Sequence, residues 1–174
     1  MVEKRLVSFA KKTVTNVISG EDFELPEGLK KKYSQKDGVF LKMYVAGELR
    51  GSSQIPIGVY KTFEAVKEAA ITAAFNDPTS TPISEDELSD LDFEISILSK
   101  PSPIKGLNSV DIKKNGIMIR KQNFNAMILP DEIKEEEMDV KEAVEMCCMK
   151  AGLTPDSWKK DNCEVFKFDV KTTN

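Results

Sequence analysis

Arginine, two serines and glutamine crowd into the run Leu49-Arg50-Gly51-Ser52-Ser53-Gln54. The Arg50 guanidinium is a planar donor fork suited to holding a carboxylate or phosphate through two parallel hydrogen bonds. Ser52, Ser53 and Gln54 are either ordinary loop hydrogen-bonders or the lining of a polar pocket. A serine becomes a nucleophile only when a base takes its proton, and the chain contains no histidine. That removes the usual base near neutral pH and the commonest nitrogen ligand for zinc, so Ser-His-Asp and Cys-His arrangements within one chain are excluded. A lysine could activate Ser52 in principle, but nothing in the sequence locates one beside it. Neither a Gly-Lys-Ser/Thr phosphate loop nor a Gly-x-Gly-x-x-Gly turn is present.

The structural alternative for Arg50 is an internal salt bridge that ties a strand end to a neighbouring segment. Gly51 suits a tight turn or a close backbone approach. Glu94 alternates with Phe93 and Ile95, so its side chain lies on the opposite face from theirs; if that face lines an interlobe cleft, Glu94 is a partner for Arg50. Cys147 and Cys148 point about 100° apart on a helix. For Cys148 a buried small hydrophobe is the better reading, since no cationic group or second cysteine pair accompanies it. The acidic run from Asp131 to Asp139 reads as a solvated loop whose last residue caps a helix. The ligand-binding candidates are therefore Arg50, Gly51, Ser52, Ser53, Gln54 and Glu94. The catalytic candidates, should there be a reaction, are Ser52 and Cys148. No metal and no cofactor is expected.

These residues need elements to hold them. Leu6, Phe9, Ala10, Val14, Val17 and Ile18 recur at helical spacing, with Gly20 as the stop. The stretch from Val39 to Tyr44, the turn Ala46-Gly47-Glu48 and then Leu49 read as a hairpin, with the arginine run as a loop at its end. Thr62 caps a helix with a stripe of Phe63, Val66, Ala70 and Ala74, and Asp77-Pro78 ends it. Ser84 with Glu87 forms a capping box, and Phe93, Ile95 and Ile97 mark a strand. Lys100-Pro101-Ser102-Pro103 is the connection between lobes.

Beyond it, Ile117 to Arg120 and Ala126 to Leu129 form a second hairpin, preceded by an Asn115-Gly116 turn. Asp139 and Glu142 cap a helix that ends at Gly152, Thr154-Pro155 starts a further turn around Trp158, and Phe166, Phe168 and Val170 form the last strand. Hairpin, helix, strand thus occurs twice. The expectation is an α+β fold in one two-lobed domain over residues 1–174, with a larger lobe over 1–100, a smaller part over 104–174, and mixed or antiparallel sheets.

With 174 residues, 40% of them hydrophobic, the chain can bury one sizeable core. A formal net charge of −4 argues against nucleic acid as a partner, and Lys30-Lys31-Lys32 is a solvated segment rather than a basic footprint. No run approaches the roughly 20 apolar residues of a membrane helix. Three cysteines with no secreted-framework spacing predict reduced thiols and a cytoplasmic location.

The runs "ELRGSSQIPIGVYKTFEAVKEAAITAAFNDP", "FEISILSKPSPI", "GIMIRKQNFNAMILPD" and "CMKAGLTPDSW...VFKF" together resemble, in order and spacing, the AMMECR domain family, whose prokaryotic members are also called AmmeMemoRadiSam system protein A. The resemblance extends from Leu6 to Val170, and Pro56 and Tyr60 continue the pattern of archaeal-type members. The family's hallmark is Leu-Arg-Gly-Cys-Ile-Gly. An ungapped match sets Ser52 at the cysteine, Ser53 at the isoleucine and Gln54 at the glycine, while Cys148 falls where similar proteins often have cysteine. If the family uses its motif cysteine as a thiolate, Ser52 is a far weaker nucleophile. The resemblance implies one of two functions. The first is a non-catalytic binding or adaptor domain that recognises a protein partner or small polar ligand at the Arg50 loop. The alternative is an enzyme or component of a modification system, as the family's naming beside Memo-like and radical S-adenosylmethionine proteins implies, acting on a small anionic ligand in an interlobe cleft.

Overall fold

The computed structural model describes residues 4–21, 24–160 and 162–173. In chain order the elements are α1 (Lys4–Ser19), α2 (Glu27–Lys32), β1 (Gly38–Val45), β2 (Glu48–Ile55), α3 (Thr62–Phe75), β3 (Leu91–Leu98), β4 (Ser102–Pro103), β5 (Asn115–Lys121), β6 (Phe124–Ile128), α4 (Pro130–Glu135), α5 (Val140–Lys150) and β7 (Glu164–Thr172). Short 3₁₀ turns occupy Glu85–Asp90, Leu107–Ser109 and Pro155–Lys159. The fold is α+β, and its described strand pairings are antiparallel. The described residues up to Leu98, with those from Lys171 onward, make one compact unit; Ser99–Val170 make the other.

In the first unit the strand order is β2-β1-β3, leaving β2 at the sheet edge. Ala46 and Gly47 both have positive φ (50° and 84°), the conformation that a two-residue hairpin turn needs to match strand twist. Val39, Leu41 and Met43 of β1 are wholly buried together with Ile95 of β3, and Phe40, Lys42 and Tyr44 point the other way. Against the buried face lies α3. Its Ala65, Val66, Ala69, Ala70, Ala73 and Ala74 are all buried, and alanines bring a helix backbone closer to a sheet than larger side chains permit.

Next to α3 packs α1, burying Leu6, Phe9, Ala10, Thr13 and Val14 at helical spacing and stopping at Gly20, φ 70°. Each fully buried aliphatic side chain contributes about 1.5–3 kcal/mol by leaving water, so this face dominates the unit's stability. Val17, expected on the buried stripe, is 49% exposed. Lys61 rather than Thr62 holds the cap position of α3. Thr62 is wholly buried inside the first turn, where its hydroxyl donates to the Gln35 carbonyl at 2.8 Å.

In the second unit β4 and β5 both pair with β7, and β6 pairs with β5. Ser102–Pro103, expected as plain connection, therefore forms a two-residue strand. Asn115-Gly116, expected as a turn, is the start of β5, opposite Asp169 and Phe168. A side chain on Gly116 would meet the Phe168 ring at 2.3 Å, so glycine serves close packing there. Ile117, Ile119, Ile128, Ile133, Val144 and Cys147 form the buried cluster. The acidic run is partly helical, as α4, before Asp139 caps α5 by accepting from Glu142 N–H at 2.8 Å.

Candidate functional site

The arginine run is a strand and not a loop, since β2 continues in register with β1 through Ile55. Tyr44 faces Leu49 and Met43 faces Gly51, which leaves Arg50 as the extra residue of a β-bulge. Its guanidinium is fully engaged. Nε donates to Glu87 Oε1 at 2.8 Å, Nη1 to the Thr81 carbonyl at 2.8 Å, and Nη2 to Thr81 Oγ1 at 3.2 Å, Glu87 Oε2 at 3.4 Å and the Pro82 carbonyl at 3.5 Å. Glu87 Oε2 also accepts from Ser84 N–H and Oγ–H, both at 2.9 Å, completing the expected capping box. The Arg50 hydrogen bond, followed by that from the Ser84 backbone, holds the Glu87 carboxyl at about 2, well below its ordinary 4.5. With only 22% and 23% of their side chains exposed, this pair is the internal tie named as Arg50's structural alternative.

Glu94 is not Arg50's partner. It lies on β3 opposite Lys42, with β1 between it and β2, and its carboxylate pairs with Lys42 Nζ at 3.2 Å. The sheet register separates the two residues that sequence alternation alone had brought together.

The neighbours of Arg50 are anchored to successive parts of the same connection. A Cβ on Gly51 would stand 2.3 Å from the Ala73 carbonyl oxygen in the last turn of α3, so only glycine lets the helix come this close. Ser52 N–H donates to Asp77 Oδ2 at 2.7 Å, just past the end of that helix. Asp77 Oδ1 accepts from Thr79 Oγ–H and N–H at 2.7 and 2.8 Å. The Thr79 hydroxyl and backbone, then Ser52 N–H, hold the Asp77 carboxyl below the usual carboxylate range. Arg50, Gly51 and Ser52 thus fasten the chain from Ala73 to Glu87 onto the sheet edge.

Side chains alternate from there. Gly51, Ser53 and Ile55 share a face with Met43, Leu41 and Val39, their partners on β1, while Ser52 and Gln54 share the other with Lys42 and Phe40. The register draws Ser52, Lys42 and Glu94 into one row across three strands. Lys42 is the residue that sequence reasoning missed. Its signal was a charged position amid the apolar alternation of β1, but counting back from the hairpin turn sets Lys42 opposite Gly51. The bulge at Arg50 moves it opposite Ser52. An ammonium paired with a carboxylate donates hydrogen bonds but has no lone pair to take the Ser52 proton, so the row suits binding better than nucleophile activation. At its Glu94 end it meets an open cleft of about 730 Å³ whose lining includes Tyr44, Asp90, Asp92, Lys4 and Lys11, with Lys11 paired to Asp92 at 3.2 Å.

Cys148 belongs to the second unit, where burial pushes its thiol up to about 11; Cys147, also buried, is pushed up to about 12 and donates to the Ala126 carbonyl at 3.3 Å. Such thiols are poorly poised as thiolates.

Comparison with known proteins agrees along the whole chain. It is 33% identical over 171 residues to protein NEQ441 of Nanoarchaeum equitans, covering 94% of this chain and 95% of that one. To a protein of Aquifex aeolicus it is 33% identical over 172 residues, covering 95% and 88%. The crystal structure of the uncharacterized protein PH0010 from Pyrococcus horikoshii superposes with a TM-score of 0.84 at 28% identity, covering 97% of this chain and 88% of that one. These relatives are uncharacterised proteins, so no reaction transfers from them. The AMMECR1 family model matches residues 7–173, and the chain belongs to that family.

Proposed function

We propose that this protein is a non-catalytic recognition domain that binds a protein partner on the exposed run that follows β2. The observation that carries this reading is the exposure of Ile57 (56%), Val59 (58%) and Tyr60 (48%) directly after a strand that is paired on one side. Three apolar side chains exposed within four residues suit a partner that covers them with an apolar surface of its own. The run is held in place: a Cβ on Gly58 would lie 2.2 Å from the Lys36 carbonyl oxygen, and Val59 N–H bonds back to the Ile57 carbonyl at 2.8 Å. Arg50, spent on its internal contacts, adds little to recognition of an anion.

The test is affinity capture from native cell extract with the wild type, Val59→Lys and Lys42→Met. A protein retained by wild type and Lys42→Met but lost from Val59→Lys, at unchanged melting temperature, supports the reading. Identical capture by all three sinks it. Capture lost only with Lys42→Met moves the site to the Ser52 row.

A specific observation favours a second reading, a small polar ligand held by Ser52, Lys42 and Glu94 in their shared row. The adjoining cleft carries both charges, with Asp92 and Glu94 paired to Lys11 and Lys42 and with Asp90 and Lys4 also in its lining, which suits a ligand bearing both an amine and an acid group better than the simple anion of the modification-system alternative. Ligand-induced thermal stabilisation lost in Lys42→Met would support it. Among the described residues no helix is long and apolar enough to cross a membrane. Together with three free cysteines, this favours the cytoplasm as the compartment.

A further inference from the structure

On the face of α1 next to that of the cleft at Glu94 lies a second groove, of about 510 Å³, bounded on its other side by the start of α2. Phe9 and Leu29, both buried, form its floor, and the exposed Pro26 and Gly28 form its far wall. Arg5, Phe9 and Lys12 are spaced four and three residues apart, so they share one side of the helix and set an exposed cation at each end of that stripe. Among the described residues of the lining every ionisable side chain is therefore cationic, in a chain of 29 acidic and 25 basic residues. Glu27, which precedes Gly28, pairs with Lys30 at 2.6 Å instead, and the Ser8 hydroxyl donates back to the Lys4 carbonyl at 3.3 Å. Gly28 is a residue whose type the fold does not demand. It has no left-handed φ, a Cβ built on it would meet nothing within 4 Å, and glycine weakens a helix relative to alanine. Its missing side chain holds the groove open.

We propose that this groove binds a single-chain aliphatic carboxylate, a fatty acid, with its hydrocarbon against Phe9, Leu29 and Pro26 and its carboxylate on Arg5. The guanidinium fork can hold both carboxylate oxygens. Lys12 lays its methylene stem along the chain and keeps its ammonium in water at the rim, where it adds to the attraction for an anion. Charge and hydrocarbon are both needed, because the cations select an anion while the apolar floor gains only from an occupant with hydrocarbon to bury. An extended peptide fits less well. No strand lines the groove, and the Pro26 carbonyl already accepts from Leu29 N–H at 2.9 Å and Lys30 N–H at 3.2 Å, so peptide amides buried there would go without partners.

The test titrates the full chain with dodecanoate, below the concentration at which it forms micelles, by isothermal calorimetry. Saturable binding at one site is expected, weakened about tenfold by Arg5→Glu and about threefold to fourfold by each methylene removed from the chain. Dodecyltrimethylammonium, the same chain with the opposite charge, should not bind. Gly28→Leu fills the groove and should abolish binding at an unchanged melting temperature. Should that variant melt early, amide chemical shifts of the wild type locate the site instead, and dodecanoate should move those of Arg5 to Lys12 and of Gly28 and Leu29. Shifts centred on the cleft at Glu94 would overturn the proposal, as would full affinity in Arg5→Glu, affinity indifferent to chain length, equal binding of the cationic chain, or uptake onto anionic vesicles with none of monomeric dodecanoate.

Discussion

In the first unit the hairpin arginine, Arg50, reaches out of its sheet to a connection some thirty residues on and is 22% exposed beside a carboxylate 23% exposed. In the second, Arg120 on β5 stays on its sheet. It pairs with Glu164 directly opposite on β7 at 2.9 Å and lies over the Phe166 ring at 4.8 Å, with half its side chain and more than half its partner's in water. The two side chains have the same chemistry, and the setting decides what each does. A half-buried guanidinium with every nitrogen bonded organises a segment, whereas an exposed cross-strand pair is screened and contributes little.

The sharpest way to break this comparison is to spoil the approach beneath Arg50. Gly51→Ala should cost about 3 kcal/mol, because its methyl would collide with the backbone carbonyl of Ala73 rather than with a side chain that can move. Urea denaturation reads this directly, and a midpoint equal to wild type would refute the close approach. Next in size, Arg50→Ala should cost about 2 kcal/mol, since it leaves Glu87 half-buried without its partner, against less than about 0.5 kcal/mol for Arg120→Ala. Equal losses in the same denaturation series would abolish the distinction.

Glu87 carries the pH dependence. Its carboxyl is held at about 2 when folded against an ordinary 4.5. The stability it contributes is complete above about 4.5 and is lost as pH falls from there through about 2, because the unfolded chain takes up the proton first. Since part of each side chain is still open to solvent screening, the loss should be on the order of 1 kcal/mol. It appears as a steeper fall in melting temperature over that window for wild type than for Glu87→Gln; parallel curves would show that the ion pair stores nothing. Smallest of all, Lys42→Met should shift stability by less than about 1 kcal/mol, because Lys42 and Glu94 are each about one third exposed. A larger loss in chemical denaturation would make the row a structural device like Arg50.

What the sequence revealed follows the range of each signal. The capping boxes at Ser84 and Asp139, the stop at Gly20 and the periodic face of α1 are written within a few residues, and all are present. Reading Ser52 to Gln54 as a loop failed because small polar residues are also what an edge strand carries when another segment rests on it. Asn115-Gly116 failed for a related reason, since glycine there makes room for the Phe168 ring rather than for a turn. The rest depends on register and tertiary contact. Glu87 rather than Glu94 meets Arg50 and Lys42 lies opposite Ser52, and no local pattern encodes either pair.

The bulge at Arg50 has a consequence for insertions and deletions. On either side of it the ladder runs unbroken, Leu49 with Tyr44 and Gly51 with Met43, so removing residue 50 joins two halves that already agree in face and pairing. A deletion there would leave every remaining side chain of β2 on its present face and cost the chain only its hold on Thr81, Pro82 and Glu87. A deletion one residue later would bring Arg50 itself opposite Met43 and turn its charged side chain toward the core.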